Sequence, residues 1–196
     1  MRKSYLDWKI TQVLCYLISK IGNGKISMLP LLKIVYLADR YHLRRYGRFV
    51  TGDSYIAMRK GPAAKRTKTL IYAAEKGYGT AGAYIQSCDP KTRHANLCVE
   101  VKCGADELSE TDVEALDVAI AKYNEIVAKG LDLPEYTHAF PEWQLAFAKI
   151  EPGKSYSAMN VLDFFRSPKD PTFEFCNVPA DHVARMKKVF ACSGAV

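Results

Sequence analysis

The sequence predicts an α+β fold that is mainly helical, a single compact domain with a small β-hairpin or sheet. Three observations carry this. Apolar residues recur at helical spacing in several stretches, they alternate with period two in one short stretch between residues 83 and 102, and no internal repeat or low-complexity tract interrupts the 196 residues. A hydrophobic fraction of 48% and a charged fraction of 25% are those of an ordinary globular chain, large enough to bury a core without staples.

Leu6, Ile10, Val13, Leu14, Leu17, Ile18 and Ile21 define the first helix, and Gly22 and Gly24 supply its stop. A second helix is expected from about Met28 to Tyr46, with Ser27 as N-cap, Pro30 tolerated in the first turn and Gly47 as the C-terminal stop. Its apolar positions nearly encircle the first half, which is therefore expected to be buried. Arg44, Arg45 and Arg48 crowd its end, where cations complement the exposed carbonyls. Thr51-Gly52-Asp53 reads as a turn, Tyr55 to Met58 as a short extended piece, and Gly61-Pro62 as a second turn opening a helix to about Lys76.

Leu97, Val99 and Val101 alternate with Cys98, Glu100 and Lys102, which fits a hairpin turning near Asp89-Pro90. Ser109 with Asp112 forms a capping box, followed by a helical stripe of Val113, Leu116, Ile120, Tyr123 and Val127 that ends at Gly130. The remainder is turn-rich, with short helical patterns at Trp143 to Ala148 and Ser157 to Phe165 and a last helix from Asp181 to Phe190. Residues 1–166 read as the domain and 167–196 as a C-terminal extension with a short helix, loosely tethered by Ser167 to Pro171.

No apolar stretch approaches the roughly 20 residues that span a bilayer. Asp7 and Lys9 follow Arg2 and Lys3 with no export-type apolar run, so the cytoplasm is the expected location and no membrane partner is expected. The six cysteines then read as free thiols rather than a disulfide framework.

Several candidate chemistries have simpler structural readings. Gly22-Asn23-Gly24-Lys25 lacks phosphate-loop spacing and follows a helix, so it reads as a helix-ending turn. Cys88, His94, Cys98 and Cys103 could surround zinc, but no pair has the close Cys-x-x-Cys spacing of a knuckle, so neither a metal nor another cofactor is expected. Asp39 and His42 lie three apart on one helix and could approach each other, more as a structural hydrogen bond than as a catalytic dyad. No histidine, serine or cysteine stands in a nucleophile-elbow context, and no enzymatic activity is expected.

The formal charge of +7 is concentrated: nine basic residues against Asp53 alone lie between Arg40 and Lys68. Such a segment suits an acidic protein or a nucleic acid, and Tyr41, Tyr46, Phe49, Tyr55 and Tyr72 among the charges could stack on bases. The alternative is that the rings pack inward while the charges stay solvated, and no nucleic-acid motif is present.

The run Lys33-Ile34-Val35-Tyr36-Leu37-Ala38-Asp39-Arg40-Tyr41-His42-Leu43, followed by Tyr46-Gly47-Arg48, Thr51-Gly52-Asp53, Tyr55, Ala57 and Gly61-Pro62, closely resembles the signature of the Panacea domain, the SocA-like antitoxin family. The resemblance continues in Leu108-Ser109-Glu110, Glu114-Ala115-Leu116-Asp117, Tyr123, Thr137-His138, Pro141 and Trp143, and covers roughly residues 5 to 165. Phe49 stands where the family usually has proline, and Ala63-Ala64 replace its usual valine or isoleucine after Gly-Pro.

The resemblance implies an antitoxin of a bacterial or phage toxin-antitoxin system that neutralises a cognate protein toxin by direct contact. Two alternatives stand beside this: a nucleic-acid-binding regulator, and an adaptor that delivers the toxin to a protease, as one relative does. Tyr36, Leu37, Ala38, Asp39, Gly47, Gly52, Asp53, Tyr55, Gly61, Pro62, Thr137, His138 and Trp143 carry the motif as scaffold or binding residues. Arg40, Arg44, Arg45, Arg48, Arg59, Lys65 and Arg66 are the candidate partner contacts.

Overall fold

A computed structural model describes residues 2–21, 24–87, 97–99 and 103–193. The first helix, α1 (Arg2–Lys20), leads through strand β1 (Lys25–Ile26), not expected from the sequence, into α2 (Met28–Tyr46), whose bounds are those expected. Gly47 ends α2 in the left-handed conformation (φ 74°), its N–H bonded to the Leu43 carbonyl at 2.9 Å. Ser27 occupies the N-cap position, but its side chain makes no capping bond.

The antiparallel strands β2 (Tyr55–Met58) and β3 (Gly61–Ala64) follow, then α3 (Lys65–Ala74), the single-turn α4 (Gly79–Gly82), and β4 (Ile85–Ser87) paired antiparallel with β5 (Leu97–Val99). The expected hairpin between residues 83 and 102 is thus formed, while its turn at Asp89-Pro90 lies outside the described residues. Gly61-Pro62 does not open a helix as expected. It begins a strand with Tyr55 opposite Ala64 and Ala57 opposite Pro62, a place proline tolerates because β3 is the edge of its sheet.

Helix α5 (Glu110–Ala128) starts on the capping box read from Ser109 and Asp112. Its buried face differs from the expected stripe: Ala115, Leu116, Ala119, Ile120 and Ile126 point inward while Val127 is exposed. The small residues Ala115 and Ala119 escape a reading weighted towards large apolar side chains, yet they let α5 come close to α2.

Beyond α5 come α6 (Leu133–His138), which the sequence reading left in turns, α7 (Pro141–Phe147), β6 (Tyr156–Ala158), 3₁₀ turns at Val161–Phe165 and Pro171–Phe173, and α8 (Ala180–Cys192). Of the helix expected over Ser157 to Phe165, Ser157 and Ala158 are strand and Val161–Phe165 a 3₁₀ turn. Ser157 pairs with Ala57, and the order β3-β2-β6 makes a three-stranded sheet beside a second one ordered β1-β5-β4.

Helix α2 is the axis of the molecule, flanked by α1, α5, α6 and α8 and backed by β3. Every residue from Leu31 to Arg44 is buried. The residues after Ser167 are not loosely tethered. Phe190 and Val183 of α8 are buried, and Arg40 and Arg44 of α2 hold the intervening segment by hydrogen bonds to Glu174.

Candidate functional site

A helix buried along so much of its length must satisfy its charges internally. Asp39, fully buried, accepts from the Thr51 amide (3.0 Å), the Thr51 hydroxyl and the Tyr55 hydroxyl (2.7 Å). Burial still pushes its carboxyl up to about 6 against those bonds. This fixes the turn in which Gly52 takes φ 64°. The turn delivers Asp53, whose carboxylate accepts from the Arg66 and Thr67 amides (2.9 and 2.7 Å) and the Thr67 hydroxyl. Asp53 thereby caps α3 from outside the helix, a service that Ala64 at the N-cap cannot perform. His42 does not meet Asp39. Its ring nitrogens bond the Arg48 carbonyl (2.8 Å) and the Thr111 hydroxyl (3.1 Å), and burial pushes it down to about 4.

Arg40 is fully buried and donates from Nε to Glu142 Oε1 at 2.8 Å, an oxygen that also accepts from the Tyr36 hydroxyl at 2.5 Å. The rest of its guanidinium reaches the Arg166 carbonyl (2.8 Å) and Glu174 (3.4 Å) and lies 4.4 Å from the centre of the Phe140 ring. Arg44 bonds the Phe164 and Arg166 carbonyls, Ser167 and Glu174.

The expectation that Arg40 and Arg44 contact a partner is therefore corrected. They are spent inside, anchoring residues 164–176 to α2, because both are buried and each carries several donors. Among the other candidates, Arg48 pairs with Asp112 (2.9 Å), Arg66 clamps Asp7 with two bonds (2.6 and 2.5 Å), and Arg45 lies over the Tyr46 ring. Arg59 and Lys65 are exposed, and no ion pair among the described residues uses them.

One further cation is buried. Lys33 Nζ donates to the Pro62 carbonyl at 2.7 Å, and desolvation pulls the amine down to about 7. It lies where a Cβ on Gly61 (φ 88°) would come within 2.8 Å of it and within 2.6 Å of Thr137 Oγ1, so only glycine lets the β2–β3 turn close here. His138 stands beside this cluster, stacked on Trp143 at 4.0 Å, its Nε2 buried without a hydrogen-bond partner. Trp143 in turn donates to the Met58 carbonyl at 3.0 Å. The motif residues of α2, the β2–β3 turn, α6 and α7 are thus brought together.

Lys33 also floors a groove of about 490 Å³ between the start of α2, the β2–β3 turn and α3. Met28, Leu29, Leu32 and Met58 give it an apolar lining, and Arg59, Lys60 and Lys68 stand around it. Arg59 of these was a candidate contact from the sequence, and Lys68 falls in the stretch from Lys65 to Tyr72 where partner specificity was expected. The signal that could have found the groove is Lys33 itself, a lysine inside a helical run otherwise read as buried.

A family model described as antitoxin SocA-like, Panacea domain, matches residues 31–144, more than half of the chain. The chain belongs to this family. The matched span of this Panacea chain runs from the first buried turn of α2 into α7. It holds Asp39, Asp53, Lys33, Gly61, Thr137 and the Arg40–Glu142 pair, whereas Arg166, Glu174 and α8 lie beyond it. Comparison with curated proteins and with solved structures finds no match. Among the described residues no helix is long and apolar enough to cross a membrane, and no group of three or more His, Cys, Asp or Glu is placed to hold a metal ion. Of the cysteine and histidine set weighed for zinc, Cys88 and His94 lie outside the described residues.

Proposed function

We propose that this chain is the antitoxin of a toxin-antitoxin system, of bacterial or phage origin, acting in the cytoplasm, and that it neutralises a cognate protein toxin by binding it directly, without catalysis. The observation that carries this reading is the Panacea domain match over residues 31–144. The disposition of charge supports it. The α2 cations Arg40 and Arg44 are consumed by the fold, whereas Arg59, Lys60 and Lys65 remain exposed with no ion pair among the described residues, ready to steer an acidic protein surface.

Co-expression with the toxin gene encoded beside it tests this. Growth is expected to be restored, with toxin and antitoxin eluting as one stable complex on size-exclusion chromatography. Rescue without any complex refutes direct binding. Rescue accompanied by protease-dependent disappearance of the toxin assigns the chain to the adaptor mode instead.

A further inference from the structure

The groove over Lys33 combines two properties that rarely share one wall. Its apolar floor offers Met28, Leu32 and Met58, flexible thioethers and a leucine that adapt to an inserted side chain. Its charged lining is of one sign: Lys33, Arg59, Lys60 and Lys68, with no carboxylate among the lining residues. The N-terminus of the 19-residue α2 opens on the same space. Its first N–H groups have no intrahelical acceptor, and the Ser27 side chain does not cap them. A polynucleotide would satisfy the charge and leave the thioethers idle, and a neutral apolar segment would do the reverse.

We propose that this groove is the docking site for an acidic segment of the partner toxin, seating an apolar side chain against Met28, Leu32 and Met58 and neighbouring carboxylates against Arg59, Lys60 and Lys68. The proposal rests on the antitoxin reading for the identity of the partner. Lys33 acts from beneath as a buried cation. Bonded to the Pro62 carbonyl under the β2–β3 turn, it holds in place the turn that presents Arg59 and Lys60.

The test selects peptides from a random dodecapeptide display library on the immobilised full-length chain and measures a synthetic copy of the winner by fluorescence anisotropy. The expected winners place Asp or Glu beside Leu, Met or Phe. Arg59→Glu/Lys60→Glu weakens their binding about ten-fold or more, since two attractive contacts become repulsive. Leu29→Asp abolishes it, at no expense to α2 because an acidic residue suits the first turn of a helix. Lys188→Glu, exposed on α8, which packs by Gly47 at the far end of α2 from the groove, changes it less than two-fold, about the margin expected of a remote surface charge.

Winners without acidic residues, no winner at all, binding that survives both groove variants, or tighter capture of a uridine oligonucleotide or a small organic anion by the same groove each overturn the proposal. The antitoxin reading fails separately. If Arg59→Glu/Lys60→Glu neutralises and binds the toxin as the parent does, the groove is wrong and the antitoxin stands. If acidic peptides bind the groove but the adjacent toxin is neither bound nor neutralised, the groove stands as an acidic-peptide site and the antitoxin reading falls.

Discussion

Arg40→Met separates a structural from a surface role for the basic segment. Methionine keeps the apolar stem of the side chain and removes its charge and donors, leaving Glu142 fully buried with only the Tyr36 hydroxyl on Oε1 and no partner on Oε2. An uncompensated buried charge of this kind costs about 3–5 kcal/mol. The bonds to the Arg166 carbonyl and Glu174 go as well, so residues 166–176 lose part of their anchorage to α2. Urea unfolding followed by circular dichroism measures the loss, and limited proteolysis after Ser167 reports the loosened segment. The partner variant Glu142→Met, and the double variant, complete a cycle. Because the pair is dry, replacing both charges is expected to recover most of the stability lost by replacing one, a coupling above about 2 kcal/mol. A single-variant cost below about 1 kcal/mol, or additive effects in the cycle, would place Arg40 in contact with water and refute the buried-pair argument.

Gly61→Ala forces a positive φ on a side chain and drives its Cβ into Thr137 Oγ1 and Lys33 Nζ, so a loss of about 1–3 kcal/mol in the same urea assay is expected. Lys33 gives a pH signature. Its folded pKa, near 7, lies below the ordinary value of 10.5, so between these the unfolded chain binds the extra proton and stability rises with pH. Thermal melts from pH 7 to 10 should show that rise, and Lys33→Met should flatten it. His42, pushed down to about 4, acts in the same sense at lower pH: acidification from 6.5 towards 4 favours the unfolded state, and a His42 variant that still folds loses that part of the slope. Ser109→Ala removes the capping box of α5 and one acceptor of Arg48, for an expected loss of about 1 kcal/mol.

Much of the fold was legible because its signals are local. Helix α2 announces both ends through Ser27 and Gly47, α5 announces its start through Ser109 and Asp112, and the period-two stretch gave the β4–β5 pairing. Failures came where distant residues decide. Gly61-Pro62 reads as a helix-opening turn from its own neighbourhood, but Ala63 and Ala64 are captured by β2, and the helix start moves to Lys65 because Asp53 supplies its cap from another segment. Charge was the least legible property. The nine cations between Arg40 and Lys68 look alike in sequence, yet their fates depend on Glu142, Glu174, Asp112 and Asp7, which lie far away along the chain.

This sorting of charge has a consequence for how one scaffold can meet different partners. A residue such as Arg40 cannot change alone, because each substitution strands Glu142 and frees the segment behind it. Asp39 and Asp53 are under the same constraint through Thr51, Tyr55 and the amides of α3. Arg59 and Lys60 carry no such obligation: they are exposed, outside every ion pair among the described residues, and sit on the turn that Gly61 and the buried Lys33 hold in place. Surface substitutions at such positions shift stability by no more than about 0.5 kcal/mol, while a reversed charge beside a bound acidic segment changes affinity several-fold. If the groove seats the acidic segment proposed for it, recognition can therefore be altered at its rim without disturbing the buried charges that build it.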